Sequence, residues 1–162
     1  MKISFMDIKN RPIKNNGFLK VFLVDNANAK ITGIINNRGD FFSIDSVVFD
    51  NTEICTGRRL KVQKGGNWLN YKVVNRDNKN LGYVSNLYFD KNLTQVLSVE
   101  SKKGFFGFIK VQKRIFDIKD IFAISGNKII LNEENKIKEF LDTIKKEIKK
   151  APKGAFGKSF SV

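Results

Sequence analysis

Over the first 131 residues, apolar positions come in short runs separated by clusters rich in Asn, Asp and Gly. Residues 18–24 and 31–35 flank the polar loop 25–29, and residues 81–89 and 95–99 flank a similar loop that opens on Asp90. Apolar runs of this length bounded by turn residues predict β-strands. Connections of hairpin length predict an antiparallel meander rather than a βαβ arrangement. Upstream, Ile3, Phe5, Ile8 and Ile13 surround Asn10-Arg11-Pro12, which suits a lead-in strand or turn ending at the proline. Asn15-Asn16-Gly17 between apolar runs is a tight-hairpin signal, because both central residues of the favoured turn need positive φ.

Sliding the first segment forward by 65 residues superimposes two patterns. Gly17 falls on Gly82, Phe18 on Tyr83, Leu19 on Val84, Phe22 on Leu87, Val24 on Phe89, Asp25 on Asp90, Ile31 on Val96 and Ile34 on Val99. With a longer loop in the second copy, residues 42–47 then fall on residues 116–121. Gln63-Lys64-Gly65-Gly66-Asn67 is the strongest breaker, and it sets a boundary between residues 1–64 and 65–131. Residues 58–62 and 68–74 on either side of it read as strands paired across the turn.

After Asn132 the period changes. Ile137, Phe140, Leu141, Ile144 and Ile148 share one helical face, with Glu133 and Glu134 at the start, four lysines at the end and Pro152 as the stop. An amphipathic helix over 132–150 is predicted, followed by a mobile tail, 151–162. Its apolar face is expected to dock on the barrel, with a partner's groove or an anionic membrane surface as the other destinations.

Leu81-Gly82-Tyr83-Val84, the run Leu87-Tyr88-Phe89-Asp90, the returning Val96-Leu97-Ser98-Val99, Ile118-Lys119-Asp120-Ile121 and the Gly126 turn before Ile129-Ile130 together resemble the PRC-barrel family. The likeness covers about residues 70–131 well and residues 3–55 poorly. It implies two tandem small antiparallel β-barrels, the first divergent, plus the C-terminal helix, in the manner of short uncharacterised bacterial proteins. Gly82, Val84, Asp90, Asp120 and Gly126 carry the fold in this reading, Gly82 by letting a strand bend and Asp90 by accepting hydrogen bonds in a turn. Such domains bind and position other macromolecules. Neither the membrane anchor of the photosynthetic reaction-centre subunit nor the extra domain of the ribosome-maturation factor is recognisable here.

The chemical inventory points away from catalysis. There is no His and a single Cys, Cys55, and no carboxylate pair is spaced to converge, so the common general base, the Cys-His nucleophile and tetrahedral zinc are missing. No cofactor, metal or small-molecule substrate is inferred. Asp25 and Asp90 are better read as turn residues than as a cation site. Gly154-Ala155-Phe156-Gly157-Lys158-Ser159 is two residues too short for a phosphate loop, and no helix can follow it. The lone cysteine and the lack of a long apolar run suit a cytoplasmic setting.

The net charge of +14 admits nucleic acid, an anionic membrane or an acidic protein as partner. Lysines outnumber arginines 24 to 6, and the charge is spread along the whole chain. The loop holding Lys102, Lys103, Phe105, Phe106 and Phe108 is the insertion that the first copy lacks, and it is the candidate interaction loop. Closure of a barrel end by these rings is the plainer reading. A non-enzymatic adaptor for a protein is expected first, with RNA binding in ribosome assembly second and membrane attachment through the helix third. Whether Lys102, Lys103, Lys110, Lys113 and Arg114 share one face with exposed aromatics separates the first two.

Overall fold

A computed structural model describes residues 2–104 and 111–132. The chain divides into Met1–Leu131 and Asn132–Val162. Beyond Asn132, the expected helix over 132–150 and the tail 151–162 lie outside the described residues, as do Phe105, Phe106 and Phe108.

The fold is mainly β. In chain order it runs β1 (Ile3–Ser4), a single helical turn α1 (Phe5–Ile8), β2 (Leu19–Val24), β3 (Ile31–Asn36), β4 (Phe41–Ser43), a 3-10 turn (Ile44–Ser46), β5 (Val48–Phe49) and β6 (Ile54–Cys55). The larger sheet follows with β7 (Lys72–Asn75), β8 (Asn80–Phe89), β9 (Val96–Lys103), β10 (Gln112–Asp117), a second 3-10 turn (Ile118–Asp120), β11 (Ile121–Ser125) and β12 (Lys128–Leu131).

The 65-residue offset recurs in the ladder register. Phe22 pairs with Ile34 and Val24 with Ile31, as Leu87 pairs with Val99 and Phe89 with Val96. Irregularities fall at Leu19/Val21 and Leu23/Val24 in the first ladder and at Val84/Asn86 and Tyr88/Phe89 in the second. An extra residue in one strand changes which face the following residues meet. Buried Leu19 and Phe22 are therefore three apart, as are buried Val84 and Leu87, where a regular strand would bury every second residue.

Two expectations give way. The strands were predicted to be antiparallel throughout, but β12 pairs with β7 in parallel. Each hairpin reverses the chain, whereas the second 3-10 turn is a corner. The ladder directions require β10 and β11 to run the same way on opposite edges of the sheet, so the hairpin at Gly126 brings β12 back parallel to β7. The sheets also stay open, with β10 and β11 as the outer strands of the larger one among the described residues.

Residues 58–62 do not pair with 68–74. Leu60 instead bridges Phe41, Gly66 bridges Val24, and Trp68 is wholly buried with its Nε1 donating to Asn26 Oδ1 at 2.9 Å. Burying the largest apolar surface in the chain outweighs one short hairpin of exposed Leu60 and Val62.

The core crosses the boundary expected at residue 64. The Phe22 ring meets Phe5 at 5.9 Å, Phe49 at 5.9 Å and Phe89 at 4.7 Å, so α1, β2, β5 and β8 share one aromatic centre. Asn86 anchors the amino-terminal segment to β8, its Nδ2 donating to Ser4 Oγ at 2.7 Å and its Oδ1 accepting from Met6 N.

Gly82 has φ +109, and a Cβ there would sit 2.3 Å from the Lys102 carbonyl oxygen, which is backbone and cannot swing aside. Gly126 also has positive φ, +59, but nothing lies within 4 Å of its Cβ position. Gly82→Val should lower stability by at least about 1–3 kcal/mol, whereas Gly126→Asn should change it little. Urea unfolding of the two variants checks this; equal losses would contradict it.

Candidate functional site

Cross-strand partners in register share a face of the sheet. On β9 and β10, Lys102 stands opposite Lys113, while Lys103 stands opposite Gln112 and Arg114 opposite Ser101, which turns these two toward the other face. Lys103 reaches back to Asn80 O at 3.2 Å. Of the five cations expected together, Lys102 and Lys113 therefore share a face, Lys103 and Arg114 do not, and Lys110 lies outside the described residues.

The same register adds partners from farther strands. Lys102 pairs with Tyr83, Tyr83 with Lys72, and Lys72 with Lys128. Lys113, Lys102, Tyr83, Lys72 and Lys128 thus form one transverse row across five strands, spanning roughly 19 Å at the usual strand spacing. Tyr83 is 53% exposed. Lys113 Nζ lies 3.9 Å from Glu100 Oε1, and among the described residues the ammonium groups of Lys72, Lys102 and Lys128 have no partner. Sequence spacing concealed Lys72 and Lys128, because their link to Lys102 depends on the parallel β7–β12 ladder.

A recess of about 230 Å³ lies beside Trp68, lined by Asn26, Ile118, Ile121, Phe122 and Ile124 among others. Phe122, on the edge strand β11, is 55% exposed and carries the Arg76 guanidinium 4.4 Å above its ring. A second, more polar hollow of about 480 Å³ is bordered by Arg58, Arg59 and Lys61, with Arg59 paired to Asp40 at 3.2 Å. Hydrogen bonds from the Asn36 side chain and the nearby Arg59 hold the Asp40 carboxyl below the usual carboxylate range.

The two loop aspartates serve the backbone. Asp25 accepts from Ala27 N, and the Asp90 carboxylate accepts from Thr94 N at 2.7 Å, Gln95 N at 3.0 Å and Thr94 Oγ1. Among the described residues no group of three His, Cys, Asp or Glu side chains could hold a metal. Val84 is buried in the core, Asp120 closes the second 3-10 turn and Gly126 turns β11 into β12. Gly82, Val84, Asp90, Asp120 and Gly126 are thus spread over the scaffold of one sheet rather than gathered at a site.

Residues 62–138 match the PRC-barrel domain. No curated protein matches the chain. The matched segment takes in all of β7 to β12, and with them the lysine row and the β11 side of the Trp68 recess.

Burial pushes the Asp90 carboxyl up, but hydrogen bonds from the Thr94 hydroxyl and the Gln95 and Thr94 amides outweigh it and hold the group below its ordinary value. A carboxylate with a lowered folded pKa contributes stability above its unfolded pKa and loses it as pH falls through the folded value. Wild-type melting temperature should therefore drop on acidification from about pH 5 to about pH 3, while Asp90→Asn melts lower at neutral pH and loses less over that window. Parallel melting curves for the two proteins would contradict this role.

Proposed function

We propose that the chain is a non-enzymatic adaptor that docks another protein on its PRC-barrel segment, in a cytoplasmic setting, with residues 1–64 acting as a divergent copy of the same unit. The shared register of the β2–β3 and β8–β9 ladders supports the tandem reading. The parallel bridge Ile13 to Ile54, which echoes the pairing of Val73 with Ile129, supports it too. The amphipathic stretch 132–150 completes the proposed architecture as a carboxy-terminal helix.

The observation that carries protein docking is the Trp68 recess with exposed Phe122 at its rim. Its volume of about 230 Å³ falls below the roughly 300–1,000 Å³ of small-molecule sites and suits a single inserted side chain. An exposed aromatic ring beside such a socket, on an edge strand, is the kind of feature that anchors protein interfaces. Arg76 over the ring keeps Phe122 in place without burying it.

Phe122→Ala tests the reading. The tagged full chain, washed after nuclease treatment, should retain a protein partner in stoichiometric amount and Phe122→Ala should lose it, with stability reduced by no more than about 1 kcal/mol. Equal retention by both proteins, or retention abolished by nuclease, would overturn it.

A further inference from the structure

We propose that the row Lys113, Lys102, Tyr83, Lys72 and Lys128 is a landing strip for a single-stranded nucleic acid, the lysines meeting successive phosphates and the Tyr83 ring taking a base. This goes beyond the protein-docking reading and stands on different residues.

The row brings like charges together. Lys113 stands directly opposite Lys102, and Lys72 directly opposite Lys128. Like charges in directly opposed positions destabilise a sheet. The nearest acidic positions on this face do little to relieve them. Glu100, one row along, reaches only Lys113, and Asp117, two rows along, caps the backbone N–H of Lys119. A ligand that brings negative charge to Lys72, Lys102 and Lys128 would remove this repulsion.

The fold supplies its own control. At the corresponding positions of the first half, with Phe18 opposite Pro12 as Tyr83 is opposite Lys72, the residues are Gly39, Asn37, Phe18 and Pro12. None of these four is charged, and Glu53, which the parallel bridge of Ile13 to Ile54 sets in the place of Lys128, is acidic, so the same backbone arrangement does not call for lysine there. An aromatic ring stands in the middle of both rows, but only in the second is it flanked by cations. A line of ammonium groups with an exposed ring among them matches the alternation of phosphate and base in an unpaired strand. Lysine, as a compact point charge, meets phosphates without demanding a fixed geometry, so the strip should read no sequence.

Titration of the full chain with a fluorescent oligouridylate tests the inference. Four phosphate contacts predict that wild-type affinity falls about fifty-fold between 50 and 200 mM salt. Lys102→Gln with Lys128→Gln breaks both opposed pairs and leaves Lys113 with Glu100. This variant should bind more weakly, with a fall of only about seven-fold over the same salt range, and it should melt no lower than wild type. Tyr83→Ala should weaken binding about ten-fold and Tyr83→Phe should restore it. Lys14→Gln with Lys20→Gln, two exposed lysines off the row, should bind as wild type does. Equal losses in the two double variants would mean that only overall charge is sensed, and would overturn the inference. Preference for polyglutamate or for anionic vesicles over the oligonucleotide would also overturn it. If the row variants bind oligonucleotide normally while Phe122→Ala loses its protein, the strip is refuted and the adaptor reading stands.

Discussion

Among the backbone contacts between the halves of Met1–Leu131, two reciprocal hydrogen bonds join equivalent segments. Ile31 N donates to Thr94 O and Val96 N donates to Ala29 O, both at 2.9 Å, around the bridge between Lys30 and Gln95. Each participant is matched by its counterpart 65 residues away, so the contact is self-complementary in the way of a two-fold interface between identical subunits. Because both bonds come from the loops opened by Asp25 and Asp90, the geometry of those two loops sets how β2–β3 and β8–β9 meet. The aromatic centre of Phe5, Phe22, Phe49 and Phe89 fills the space between them.

Much of this arrangement was legible in the residues. Phe22 and Leu87, matched by the offset, hold like places in the two ladders, as do Ile34 and Val99, because apolar positions on a half-buried strand must follow its pairing. The aspartates are legible as turn formers for a local reason: their carboxylates reach amides two to five residues ahead. The parallel β7–β12 pairing was not legible, since it depends on a corner at residues 118–120 that looks like any other turn in one dimension. Trp68 was hidden for a related reason. Its burial under the Asn26 loop is a contact between distant segments, and it takes residues 68–71 out of the hairpin that the glycines suggested.

The candidate site followed the same divide. Lys102 and Lys113 lie close enough in sequence to be grouped by inspection, but strand alternation sends their neighbours Lys103 and Arg114 to the opposite face. Tyr83, Lys72 and Lys128 join them only through three further ladders. The candidate surfaces on this scaffold are made by register, which explains why no short motif announced them. The buried positions, by contrast, are almost wholly committed to packing and to backbone satisfaction, and no buried side-chain polar atom among the described residues lacks a partner.

On this account the described part of Met1–Leu131 is one cooperative core, with the Ile31 and Val96 amides among the bonds that join its halves, rather than two units that happen to be linked. Native-state amide hydrogen exchange measures this directly. These two amides should exchange only through global unfolding, with the same free energy as core amides of β2 and β8 and the same dependence on denaturant. If Ile31 and Val96 exchange early, by local opening, while β2 and β8 remain protected with different free energies, the halves are separate and the shared core is not what holds the fold together.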